Sequence, residues 1–95
     1  MINSDEANKK SKENRLELIK TIYIDDKTPF LDYVEQKILE CVKLGINKFV
    51  ANCIELHSVY HTEEQCRQII LRYLQDLGYQ CQYNKYDRFT LIVAW

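Results

Sequence analysis

Residues 62–83 read TEEQCRQIILRYLQDLGYQCQY, and a change of period inside this stretch decides the fold. Thr62 with Gln65 three residues on forms a capping box at a helix start. Cys66, Ile69, Ile70, Tyr73, Leu74 and Leu77 then recur at helical spacing, which predicts a helix over 63–77 with these residues buried. Gly78 stops it where the backbone must take a positive φ. Tyr79, Cys81 and Tyr83 alternate with Gln80 and Gln82, the period of a strand with one covered face.

The same device occurs one element earlier. Thr28-Pro29 reads as an N-cap followed by Pro at the first helical position. A helix is predicted over 29–44, with Leu31, Val34, Ile38, Cys41 and Val42 as its buried stripe and Phe30 stapling the entry. Gly45 closes it, and 46–54 alternates as a strand, Phe49, Ala51 and Cys53 against Val50, Asn52 and Ile54. At the C-terminal end, 84–88 form a turn, and Phe89, Leu91, Val93 and Trp95 alternate with Thr90, Ile92 and Ala94.

The first segment, 4–23, has Asn3 and Glu6 placed as a capping pair and no Gly or Pro. Its seam is Ala7, Ser11, Asn14, Leu18 and Ile22. Before Arg15 that seam is small or polar, so the first turns are expected to project or rest on another chain. Leu18 and Ile22 then want cover, which marks them as a candidate oligomer interface.

The order is α-α-β-α-β-β, an α+β class. A crossover through the third helix sets the second strand parallel to the first, with the return strand between them and antiparallel to both. The expectation is a three-stranded, mainly antiparallel sheet with helices packed on one face. Residues 1–27 read as a partly projecting, oligomerising helix and 28–95 as a compact domain. Val50 and Ile92 share the uncovered face with Gln80 and Gln82, which invites a partner.

Composition narrows the function classes. The chain has 95 residues, one domain's worth, with two Gly and one Pro, too few for a disordered or loop-rich chain. Thirteen basic and fourteen acidic residues are well mixed and give a net charge of −1. No basic cluster is present to neutralise phosphates, so nucleic acid is a disfavoured partner. No stretch approaches the ~20 apolar residues of a membrane span, and the polar start has no signal-peptide character. Four cysteines, each set in an apolar pattern without a close pair, read as reduced thiols of a cytoplasmic protein, in the host cytoplasm if the chain is viral.

Two clusters could carry chemistry. Cys53-x3-His57-x3-His61-x4-Cys66 supplies the ligand types of a tetrahedral zinc site, but the spacing matches no standard finger, and loop histidines with core cysteines are the preferred reading. Ser58 beside His57 has no Gly-rich elbow, and the thiols look buried, so no catalytic residue is assigned. No Gly-rich phosphate loop is present and no cofactor is expected. Tyrosine is in excess, seven in the chain. Tyr60, Tyr83, Lys85, Tyr86 and Arg88, on loops or the hairpin, are the candidate ligand- or partner-binding residues, because aromatics beside basic groups stack bases and also mark protein interfaces.

Ser4-x-x-Ala7, Ser11-x-x-Asn14, Ile38 leading to Gly45, Leu77-Gly78-Tyr79 and the ending Ile92-x-x-Trp95 together resemble a widespread group of small tailed-phage and prophage proteins. Thr28-Pro29 and the histidine loop depart from that pattern. The resemblance implies a phage accessory or virion-associated protein, homo-oligomeric and non-enzymatic, that contacts a host or virion protein and in some settings blocks host defence. A second expectation is a protein that sequesters a small nucleotide signal in a pocket between protomers. A third is a zinc-stabilised interaction module.

Overall fold

The computed structural model describes residues 1–25, 27–53, 55–87 and 89–95. Its elements follow the expected order: α1 (Ser4–Ile19), α2 (Phe30–Lys43), β1 (Lys48–Asn52), α3 (Glu63–Asp76), β2 (Gln80–Tyr83) and β3 (Thr90–Ala94). The sheet has three strands in the order β1-β3-β2. β3 runs antiparallel to both neighbours, pairing Val50 with Ile92 and Gln82 with Ile92 across its two edges. The fold class is α+β, as the periods predict. The alternation also holds: Phe49, Ala51, Cys53, Leu91 and Val93 are buried beneath the helices, while Val50, Gln80 and Gln82 face out. Ile54, expected to continue the outward set, lies outside the described residues.

Both Gly-stopped turns take the same form. Gly45 has φ 73° and Gly78 φ 96°. The Gly45 amide donates to the Val42 carbonyl and the Ile46 amide to that of Cys41; Gly78 and Tyr79 donate to Gln75 and Leu74 in the same way. Each Schellman turn satisfies helix carbonyls that would otherwise lack donors and delivers the chain into a strand. α3 also has its full capping box, the Gln65 amide donating to Thr62 Oγ1 at 3.2 Å and the Thr62 amide to Gln65 Oε1 at 3.0 Å.

Three local expectations are corrected. α1 ends at Ile19 rather than at Tyr23, because Tyr23 exchanges backbone hydrogen bonds with His57 (2.8 and 2.9 Å) and leaves the helical path. α2 starts at Phe30, with Pro29 rather than Thr28 as its N-cap. There Asp25 Oδ1 accepts from the Lys27 and Thr28 amides (2.8 and 2.6 Å), and the Phe30 amide donates to the Ile22 carbonyl. Finally, Val42 and Leu77, expected inside, are 54% and 58% exposed.

Ile22 requires a further correction. It is wholly buried, as is Ile19, in the core formed with Phe30, Ile70 and Leu74. It therefore has its cover within the chain and is not an oligomer contact; Leu18 is half-buried. α1 packs along α3, with the Arg15 guanidinium gripping Asp76 through Nε (2.6 Å) and Nη2 (2.9 Å). Arg15 thus sits at the end of α3, while Lys20 and Thr21 reach the loop that begins it, so the two helices are antiparallel. Residues 4–14 continue past the end of α3, about 16 Å at the helical rise. Apart from half-buried Ala7 they are exposed, and the molecule is correspondingly long, 48 × 29 × 27 Å.

Candidate binding surfaces

Residues 56–62 form one wall of a groove of about 860 Å³. The loop is held from several sides. Leu56 is buried, the Tyr23–His57 bridge ties it to the segment after α1, and Thr62 caps α3. The Tyr60 amide donates to Ser58 Oγ at 3.2 Å, and the Ser58 hydroxyl also meets the Cys66 thiol. Tyr60, 72% exposed, and His57 open onto the groove, with Lys20 and Tyr23 opposite. His61 is half-buried, and its Nε2 is enclosed with no hydrogen-bond partner among the described residues.

The cysteines and histidines of the suspected zinc cluster do not converge. Among the described residues, no group of three or more His, Cys, Asp and Glu stands close enough to share an ion. Cys53 and Cys66 belong to the core. Burial pushes the Cys53 thiol up to about 12 against the opposing pull of Arg67. Burial raises the Cys66 thiol too, against its Ser58 hydrogen bond. Both are thiols, not thiolates, at neutral pH, the unreactive form.

The tyrosine set is divided. Tyr83 is half-buried and donates its hydroxyl to the Arg67 carbonyl at 2.7 Å, so it supports the fold instead of facing a ligand. Lys85 and Tyr86 are together at the hairpin tip, the ammonium 4.9 Å from the ring centre, with Tyr86 87% exposed. Tyr60 lines the separate loop groove, and Arg88 lies outside the described residues.

A surface the periodicity did not reveal lies at the opposite end. α2 and α3 finish there, and between them runs a groove of about 370 Å³ lined by Ile38, Leu39, Tyr73, Leu77 and Tyr79, with Glu35 at its edge. Trp95 lies edge-on to Tyr79 and close to Phe49. Its amide donates to Asn47, next to Ile46. Leu39, Leu44, Ile46, Leu77 and Trp95 are thus all exposed at this end of the molecule, its apolar pole, and α1 projects past the same end. Leu77 misled because its spacing continues the buried stripe of α3, yet it is the helix C-cap, beyond the last turn that packs.

No family model, no curated protein and no solved structure matches this chain.

Proposed function

We propose that this protein acts by holding other proteins, as a non-catalytic accessory protein of viral, phage-like type that self-associates and contacts a host or virion protein. The apolar pole carries the reading. Leu39, Leu44, Ile46, Leu77 and Trp95 are each between 38% and 75% exposed, about 500 Å² in all, near the upper end of the largest patch on an ordinary monomer. The largest apolar patch on a monomer is often its functional one. The buried, protonated Cys53 and Cys66 fit a role without nucleophilic chemistry. The phage resemblance supplies the setting, with interference in host defence as one form.

A photo-crosslinking side chain at position 77, compared with one at position 85 on the hairpin tip, tests this in cells. Position 77 is expected to yield a discrete protein adduct that Leu44→Asp abolishes. Equal adducts from both positions, or none from position 77, would overturn the reading.

The loop groove favours a second reading, a small-nucleotide binder. About 860 Å³ lies within the roughly 300–1,000 Å³ of ligand pockets, and Tyr23, Tyr60, His57 and Lys20 offer stacking faces and a cation. This groove belongs to one protomer, unlike the pocket between protomers expected from sequence. A thermal-shift panel of mono-, di- and cyclic nucleotides should then give a rise in Tm that Tyr60→Ala removes. A flat panel counts against it.

A further inference from the structure

Helix α2 presents to solvent a stripe that the fold leaves unused. Glu35, Leu39 and Lys43 follow one another at four-residue spacing and line the same exposed face. Leu39 is 55% exposed. On that face Glu40 is engaged by Lys37 at 3.6 Å. Glu35 and Lys43 have no ion-pair partner among the described residues. They cannot pair with each other, being about 12 Å apart along the axis with Leu39 between them.

A second copy can satisfy both. When two α2 helices cross antiparallel about a twofold axis at Leu39, a residue any number of positions before Leu39 faces the one equally far after it in the other copy. Leu39 then meets Leu39, and Glu35 of each copy meets Lys43 of the other. Opposite charges set symmetrically about an apolar residue are self-complementary, the pattern an isologous contact requires. Val42, Leu44 and Ile46, 54%, 75% and 47% exposed, continue the apolar strip into the pole, so a second copy and another protein would occupy Leu44 and Ile46 in turn, not together.

We infer that α2 is a homodimer interface, in which two copies of this chain pair antiparallel through Leu39 and are clasped by two Glu35–Lys43 ion pairs. The inference rests on the self-association in the function proposed above and moves it from α1 to α2. With Leu39, the apolar strip exposes about 400 Å² per copy, half of the roughly 800 Å² each partner gives to a standard interface, which fits a weak, reversible dimer.

Sedimentation equilibrium on the full chain tests it, using wild type, Glu35→Lys, Lys43→Glu, Leu39→Asp and a mixture of the two charge variants. Wild type should dimerise at micromolar concentration and weaken as salt is added. Each charge variant alone should associate at least about tenfold more weakly, because its homodimer sets two like-charge pairs face to face. Mixing the two variants should restore association to near the wild-type level, since the mixed dimer regains both pairs. Melting curves matching wild type show that the variants, all at solvent-facing positions, remain folded. A wild-type dimer indifferent to all three substitutions overturns the α2 interface and leaves self-association standing elsewhere. A mixture as weak as its components overturns the antiparallel pairing, and a wild type monomeric throughout removes both this inference and the self-association beneath it.

Discussion

Arg67 is the one buried charged or polar residue among those described, 5% exposed, and its surroundings explain how the core tolerates it. Its Nη1 donates to the Cys53 carbonyl at 3.2 Å, and Nη2 meets the Glu64 carboxylate at 3.0 Å. The guanidinium lies 4.9 Å from the centre of the Phe89 ring. Its own carbonyl accepts the Tyr83 hydroxyl, so one residue ties α3 to β1, β2 and the end of the hairpin. Arg67→Met should keep most of the packing yet leave the Cys53 carbonyl without its donor, costing about 2–3 kcal/mol in urea unfolding. A loss below about 0.5 kcal/mol, the range of a neutral surface change, would mean that this network contributes nothing. Cys53 beside it sets an alkaline limit. Its thiol, ordinarily 9.0, is held up at about 12 by burial. The folded state therefore keeps a proton that the unfolded state loses. Stability from this group is complete below pH 9 and falls as pH rises from about 9 to about 12, by about 1.4 kcal/mol per pH unit. The Tyr83 hydroxyl, also raised by burial, adds the same sign above its ordinary value of 10.0. Cys53→Ala should flatten the decline between pH 9 and 11, and an unchanged slope would show that the thiol is not its source.

Elements were legible where a local signal coincided with a local cause. Gly45 and Gly78 are read correctly because a Schellman turn is built from residues adjacent in sequence, and Thr62–Gln65 for the same reason. The failures are places where a distant residue decides. Nothing between Leu18 and Tyr23 announces that His57 will capture the Tyr23 backbone and end the helical path there. Thr28-Pro29 carries the right residues for a cap at Thr28, one position before the observed boundary, but Asp25 takes the Thr28 amide and Pro29 becomes the N-cap. The same logic limits the site: buried Arg67 was hidden among the charges of α3, since only the assembled sheet supplies the Cys53 carbonyl. The glycine reading makes a quantitative prediction. A Cβ at either glycine would meet nothing within 4 Å, so strain in the left-handed backbone is the whole penalty. Gly45→Ala and Gly78→Ala should each cost about 1–2 kcal/mol in thermal or urea unfolding. Stabilisation by alanine would show that neither turn needs its positive φ.

At the scale of the molecule, the two candidate surfaces lie at opposite ends of the helical layer. The loop groove sits where α3 begins, and the apolar pole lies where α2 and α3 end. The chain's one tryptophan, Trp95, belongs to the second and not the first. At 38% exposure, edge-on to Tyr79, its indole is partly wet in the free protein. A protein seated on the pole must dry this ring, which should shift its emission to the blue and slow its quenching by acrylamide. A nucleotide entering the loop groove lies at the far end of α3 and should leave both readouts unchanged while raising Tm. The single tryptophan, excited selectively over the tyrosines, therefore discriminates between the two functions without any substitution. Should a nucleotide shift the tryptophan emission, or a bound protein leave it untouched, the assignment of proteins to the pole and small ligands to the loop would be wrong. Buried Phe49, its ring centre 6.4 Å from that of Trp95, fixes the readout to this end of the molecule.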